Sequence, residues 1–224
     1  MVDIVDEINA IHRRVGRAGT PVGEARTVLL RRTYDTSVDD LWDAVTNPER
    51  LPRWFLPVSG EFTLGGRYQV EGNAGGEIIR CEPPRLLRLT WVFGEPVEGG
   101  FSEVEVRLSP ADAAEQAAAE RAVLELEHVA VIDPERWTEY GPGAVGVGWD
   151  LALLGLGLYL GGGAITDPDA WGRSREAREF MTLSSNAWGA ATVAGGEHPD
   201  EVAVMVANTS QFYAPDPPAG PNAP

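Results

Sequence analysis

The order of elements between Thr33 and Trp91 constrains this chain more than anything else in it. A strand ending at Tyr34 gives way to Ser37, placed to cap a short helix carrying Leu41, Trp42 and Val45, with Asp39 and Asp40 in its first turn. Pro48 opens a second short helix that ends at Trp54 and Phe55, and Pro57 lies beyond it. Strand segments then follow at about 60–63, 66–72, 76–82, 86–93, 102–109 and 121–132, broken by turn residues. Leu87, Leu89 and Trp91 share one face, as do Val104, Val106 and Leu108. In the last strand Leu124, Leu126 and His128 oppose Glu125 and Glu127. Two short helices between a first strand and a long antiparallel meander predict a curved sheet with a hollow that another element must fill.

The filler is legible further on. After Pro142 the segment GAVGVGWDLALLGLGLYL is apolar on every side: Trp149, Leu153, Leu156 and Leu160 on one face, Leu151, Leu154 and Leu158 on another. Its uncharged run, 151–166, is shorter than the roughly 20 residues that span a bilayer, and it contains five glycines. A buried helix gripping the concave face is therefore expected, not a membrane span. Val2–Arg17 reads as another helix, because Ile4, Ile8, Ile11 and Val15 recur at spacings of four, three and four while Arg13, Arg14 and Arg17 lie off that stripe. From Asp167 two further helices follow, one stopped by Gly195-Gly196 and one opened by His198-Pro199. Their apolar residues Trp171, Phe180, Trp188, Val202, Val206 and Phe212 are too many for a free tail. The two terminal additions are expected to contribute to one shared surface, used in a homodimer. The organisation read this way is 1–26 N-terminal helix and linker, 27–163 main domain, 164–214 helical extension and 215–224 a disordered Pro-rich tail. The Ala-rich piece 111–120 reads as a solvent-facing hairpin connection.

Charge and composition narrow the function. With 34 acidic and 18 basic residues the net charge is -16, which argues against nucleic acid and anionic membranes as partners. All the basic residues are arginine, so a Schiff-base lysine and a phosphate-loop lysine are excluded. The single cysteine, Cys81, forms no intramolecular disulfide and fits a reducing cytoplasm. The opening MVDIVDEINAIHRR has acids where a secretory signal carries a basic start and an apolar run, so a cytoplasmic location is expected.

Candidate sites follow from the same faces. An inward His128 can orient a ligand carbonyl or act as acid or base, and its alternative is a core histidine satisfied by a backbone carbonyl or by Tyr140. The literal GxGxxG at Gly141–Gly146 lacks a strand leading directly into it, so close packing at a helix start is the better reading than a nucleotide site. Glu77 and Cys81 fall on one face and Glu82 lies beside them, but no histidine is near enough in sequence to make a catalytic thiol. No His/Cys/Asp spacing of metal-site type occurs, and no cofactor is expected. The expected ligand-binding set is Trp54, Phe55, Tyr68, Trp91, Leu126, His128, Trp149 and Leu153, with Trp42 among the aromatics able to line the hollow.

The motifs as they stand, Val38, Leu41-Trp42-Asp43-Ala44, Thr46-Asn47-Pro48-Glu49, Trp54-Phe55, Gly65-Gly66-Arg67-Tyr68, Pro83-Pro84-Arg85-Leu86 and Trp91, together resemble the SRPBCC/START-like (helix-grip) superfamily. Within it they are similar to the branch related to the C-terminal domain of heat shock protein 90 ATPase activators. The resemblance covers about residues 27–163. It implies an α+β helix-grip fold: a curved antiparallel sheet wrapped around a long C-terminal helix, here with extra helices at both termini. It implies three functions: binding of a small hydrophobic or amphipathic molecule between sheet and helix, a cyclase or dehydratase using the same cavity, or a co-chaperone-like activator of a heat shock protein 90 ATPase.

Overall fold

The computed structural model describes residues 4–95, 99–112 and 120–215. Helix α1 (Ile4–Asn9) leads into strands β1 (His12–Thr20) and β2 (Gly23–Tyr34), then helix α2 (Val38–Thr46) and a single 3-10 turn at Leu51–Arg53. Strands β3 (Val58–Gly60), β4 (Arg67–Val70), β5 (Gly75–Glu82), β6 (Leu86–Thr90), β7 (Ser102–Pro110) and β8 (Ala122–Ala130) form the meander. Helices α3 (Pro134–Tyr140), α4 (Gly143–Leu160), α5 (Pro168–Gly172), α6 (Arg175–Ala194) and α7 (Pro199–Tyr213) complete the chain. One curved sheet of eight antiparallel strands results, in the order β1-β2-β8-β7-β6-β5-β4-β3. Most of the Ala-rich connection and the Pro-rich tail lie outside the described residues.

Local signals explain most starts and stops. Ser37 accepts a hydrogen bond from the Asp40 amide and caps α2, whose first turn holds two acids facing the positive end of the helix. Asp133, Asp167 and Ser174 cap α3, α5 and α6 in the same manner. The helix expected from Pro48 contracts to the 3-10 turn, too short to bury a face of its own.

The N-terminal helix expected over Val2–Arg17 is a correction. It ends at Asn9, and residues 12–20 form β1, paired along its whole length with β2 from His12↔Arg31 to Thr20↔Gly23. A spacing of four satisfies both the helical and the strand period, so Ile11 and Val15 fit either. As a strand, Ile11, Arg13 and Val15 share a face, and Arg13 turns inward rather than to solvent. Its burial is possible because Asp150, 137 residues later, receives it: Arg13 Nε lies 3.0 Å and 3.2 Å from the two carboxylate oxygens.

Helix α4 packs against the sheet on one side and α6 on a neighbouring flank. One side faces the sheet through Trp149, Leu153 and Leu156, while Leu154 packs with Ile8 and Phe180 on that flank. Gly146 brings the backbone of α4 against the Trp188 indole of α6; a Cβ there would lie 2.3 Å from the ring. Asp150 is fully buried and also accepts from Ser184 Oγ at 2.5 Å and Trp188 Nε1 at 3.1 Å. Burial pushes its carboxyl up from the ordinary range, against the opposing pull of Arg13, Ser184 and Trp188. Beside it, Arg32 of β2 donates to the Leu153 carbonyl at 3.2 Å and to Glu7 at 2.6 Å. Thus α1, β1, β2 and α6 converge on one flank of α4 through a buried polar cluster. Phe180, Trp188 and Val202 are almost wholly buried within the chain and Trp171 and Val206 partly so, while Phe212 stays exposed. The terminal additions do meet, and they meet within one chain; their covering does not require a second copy.

Candidate functional site: an apolar cavity between sheet and helix

A cavity of about 380 Å³ lies between the concave face of the sheet and α4. Its floor is the inward row of β6, β7 and β8, with Leu87, Leu89, Val104, Val106, Leu124 and Leu126. Its roof is Trp149, Ala152, Leu153 and Leu156 of α4, and one side is closed by Trp42, Val45 and Thr46 of α2 together with Trp54 and Phe55. Gly155 makes that closure possible: a Cβ at this position would lie 2.3 Å from the Trp54 carbonyl oxygen, so only glycine lets the segment after the 3-10 turn touch α4. The rings form a continuous wall, with Tyr68 and Trp91 centroids 6.3 Å apart and Trp91 and Trp149 5.0 Å apart. The mouth is bordered by Phe62, Thr63 and Leu64, at the tip of the β3–β4 connection. Phe62 is 41% and Leu64 68% exposed. The base of that tip is pinned by Glu61 N donating to Arg67 O and Gly65 N donating to Ile78 O, each at 2.8 Å.

Of the eight residues expected to bind a ligand, seven line this cavity: Trp54, Phe55, Tyr68, Trp91, Leu126, Trp149 and Leu153. His128 does not. Strand alternation turns it inward as expected, but Trp149 stands between it and the open space. Trp149 Nε1 donates to His128 Nδ1 at 3.2 Å, which makes Nδ1 the unprotonated nitrogen; Nε2 therefore carries the proton and donates to Ser102 Oγ at 2.9 Å. A nitrogen that already holds its proton cannot deprotonate Ser102. Burial pushes the imidazole down to about 4, so it is neutral at physiological pH. His128 is a satisfied core histidine, bonded to Ser102 and Trp149 rather than to Tyr140 or a backbone carbonyl.

The other chemical candidates dissolve for equally local reasons. A β-bulge between Ile78 and Arg80 inserts a residue into β5, so Ile78 and Cys81 both face the cavity while Glu77 is exposed on the other side. Glu77 and Cys81 thus do not share a face. Partial burial pushes the Cys81 thiol up, away from the thiolate a nucleophile requires. Gly143 and Gly146 of the GxGxxG pack against Thr209 and Trp188, and helix α3 precedes them where a nucleotide fold needs a strand. Among the described residues no cluster of His, Cys, Asp or Glu has metal-binding geometry. Among the described residues the cavity lining holds no carboxylate, imidazole or guanidinium. Phe62, Leu64 and Ala152 escaped the sequence reading; an apolar pair within GEFTLGG, where a turn is normally polar, is the signal that marks the first two.

Comparison with known proteins agrees with this architecture. The crystal structure of CalU16 from Micromonospora echinospora superposes with a TM-score of 0.63 at 36% identity, covering 82% of this chain and 99% of that one. The solution structure of CalU16 gives 0.63 at 38% identity, over 84% and 97% of the two chains. The Enterococcus faecalis protein EF2215, a conserved protein of unknown function, shares the fold at 16% identity with a TM-score of 0.53 over 87% of this chain and 96% of that one. No curated protein matches. Residues 35–158, from the approach to α2 through the gripping helix, match the sequence pattern of the Activator of Hsp90 ATPase homolog 1-like proteins, and the chain belongs to that family.

Proposed function

We propose that this protein binds a small hydrophobic or amphipathic molecule in the cavity between the sheet and α4. The observation that carries this reading is the cavity itself: about 380 Å³ of space with an almost wholly apolar wall, inside the roughly 300–1,000 Å³ range of small-molecule sites. Cores of this size are ordinarily packed at crystal-like density. A void bounded by tryptophan, leucine and valine is stabilised when an apolar guest restores the missing dispersion contacts. The protein acts as a carrier or receptor for that guest, and the free Cys81 fits a cytoplasmic setting.

The test is a plug. Ala152→Phe fills the cavity from α4, and Val106→Phe fills it from β7. Each variant should keep the wild-type circular dichroism and melting cooperativity while abolishing the fluorescence enhancement of N-phenyl-1-naphthylamine, a neutral apolar dye. Dye binding that is absent in the wild type, or undiminished in both folded plug variants, would remove the reading.

A further inference from the structure

We infer that the cavity selects an uncharged guest and discriminates against anionic amphiphiles such as carboxylates of the same apolar shape. This rests on the binding function proposed above and names the chemical class that the site takes.

Three independent features lead here. First, no cation among the described residues borders the cavity. The buried guanidiniums of Arg13 and Arg32 stand outside its lining and are each paired, Arg13 with Asp150 and Arg32 with Glu7 and the Leu153 carbonyl. Second, four of the donors in the wall are committed to protein acceptors. Trp54 Nε1 donates to Ala44 O at 3.0 Å, Tyr68 Oη to Thr90 O at 2.7 Å, Thr46 Oγ1 to Trp42 O at 2.7 Å and Trp149 Nε1 to His128 Nδ1 at 3.2 Å. Among the described residues an entering carboxylate therefore meets no counter-ion, and an unpaired anion in such a place is costly. Third, the helix ends are oriented against it. The wall takes Trp42, Val45 and Thr46 from the last turns of α2, where the partial charge is negative. From α4 it takes only Trp149 through Leu156, well past the first-turn amides that could bind an anion.

A matched pair of dyes reads this directly. N-phenyl-1-naphthylamine and 8-anilinonaphthalene-1-sulfonate share one skeleton and differ by a sulfonate. Titrations in about 0.5 M NaCl screen the long-range repulsion from the acidic surface, leaving the local term. The neutral dye should bind at least tenfold more tightly, and 1-dodecanol should displace it at concentrations at which dodecanoate does not. Equal affinity for the two dyes, with both signals lost in Ala152→Phe, would overturn the charge selectivity and leave the cavity reading standing. Failure of the neutral dye to bind, or binding that ignores both plugs, would overturn the cavity reading and this inference with it.

Discussion

Acidification should weaken this fold through one identifiable imidazole. His128 is held neutral by burial, with its titration pushed from 6.5 to about 4. The folded state thus binds fewer protons than the unfolded chain between these values, and stability falls as pH falls through them. At roughly 1.4 kcal/mol for each tenfold change, the full loss is about 3 kcal/mol, complete only below the folded value. The structural cause is specific: a proton on Nδ1 would confront the Trp149 N–H now donating to it at 3.2 Å. The assay is urea unfolding of the wild type and His128→Gln at steps from pH 7.5 to 4. Carboxylates titrate in both proteins, so the difference between the two curves isolates the imidazole. The variant should be less stable at pH 7.5 and lose less on acidification, so that the gap narrows. Parallel curves, or an imidazole resonance titrating near 6.5 by NMR, would refute the tautomer and burial argument.

Two other perturbations separate packing from binding. Arg13→Met strands the fully buried Asp150 with only Ser184 and Trp188 as partners and should cost about 3–5 kcal/mol in urea unfolding, while Arg13→Met with Asp150→Leu should recover most of it; a single variant within 1 kcal/mol of wild type contradicts the buried-pair account. Phe62→Ser with Leu64→Ser should change stability by less than about 0.5 kcal/mol, since both are surface positions, yet weaken N-phenyl-1-naphthylamine binding about tenfold through lost apolar cover; unchanged dye dissociation would show that the mouth residues do not touch the guest.

What the sequence disclosed and what it hid divide along a physical line. Ser37, the Gly195-Gly196 stop and the alternating rows on β6 to β8 act within a few residues of themselves, and each appears where its local pattern puts it. So does α4, which its apolar run places against the sheet. Arg13 was hidden because its partner Asp150 lies 137 residues away, and a lone arginine on an ambiguous four-residue spacing reads as solvent-facing. The inward facing of His128 was legible from alternation, but its exclusion from the cavity depends on where α4 crosses the sheet. The β5 bulge was invisible for a related reason: it is a property of pairing with β6, and one inserted residue moved Cys81 into the cavity wall and Glu77 out of it.

The flank contacts of α4 set how the cavity responds to size. A gripping helix with only solvent behind it can swing outward for a larger guest. Here Trp188, Phe180 and the Asp150 cluster pin one flank of α4 to α6 and the first two strands, so the roof is stiff. Along a homologous series of guests growing toward α4, each added methylene should first contribute about 0.8 kcal/mol of burial. Past the point of fit it should instead strain a packed interior, at about 1–3 kcal/mol for the overfilling. Affinity plotted against guest length would then rise to a sharp maximum and fall, the behaviour of a gauge rather than a sponge.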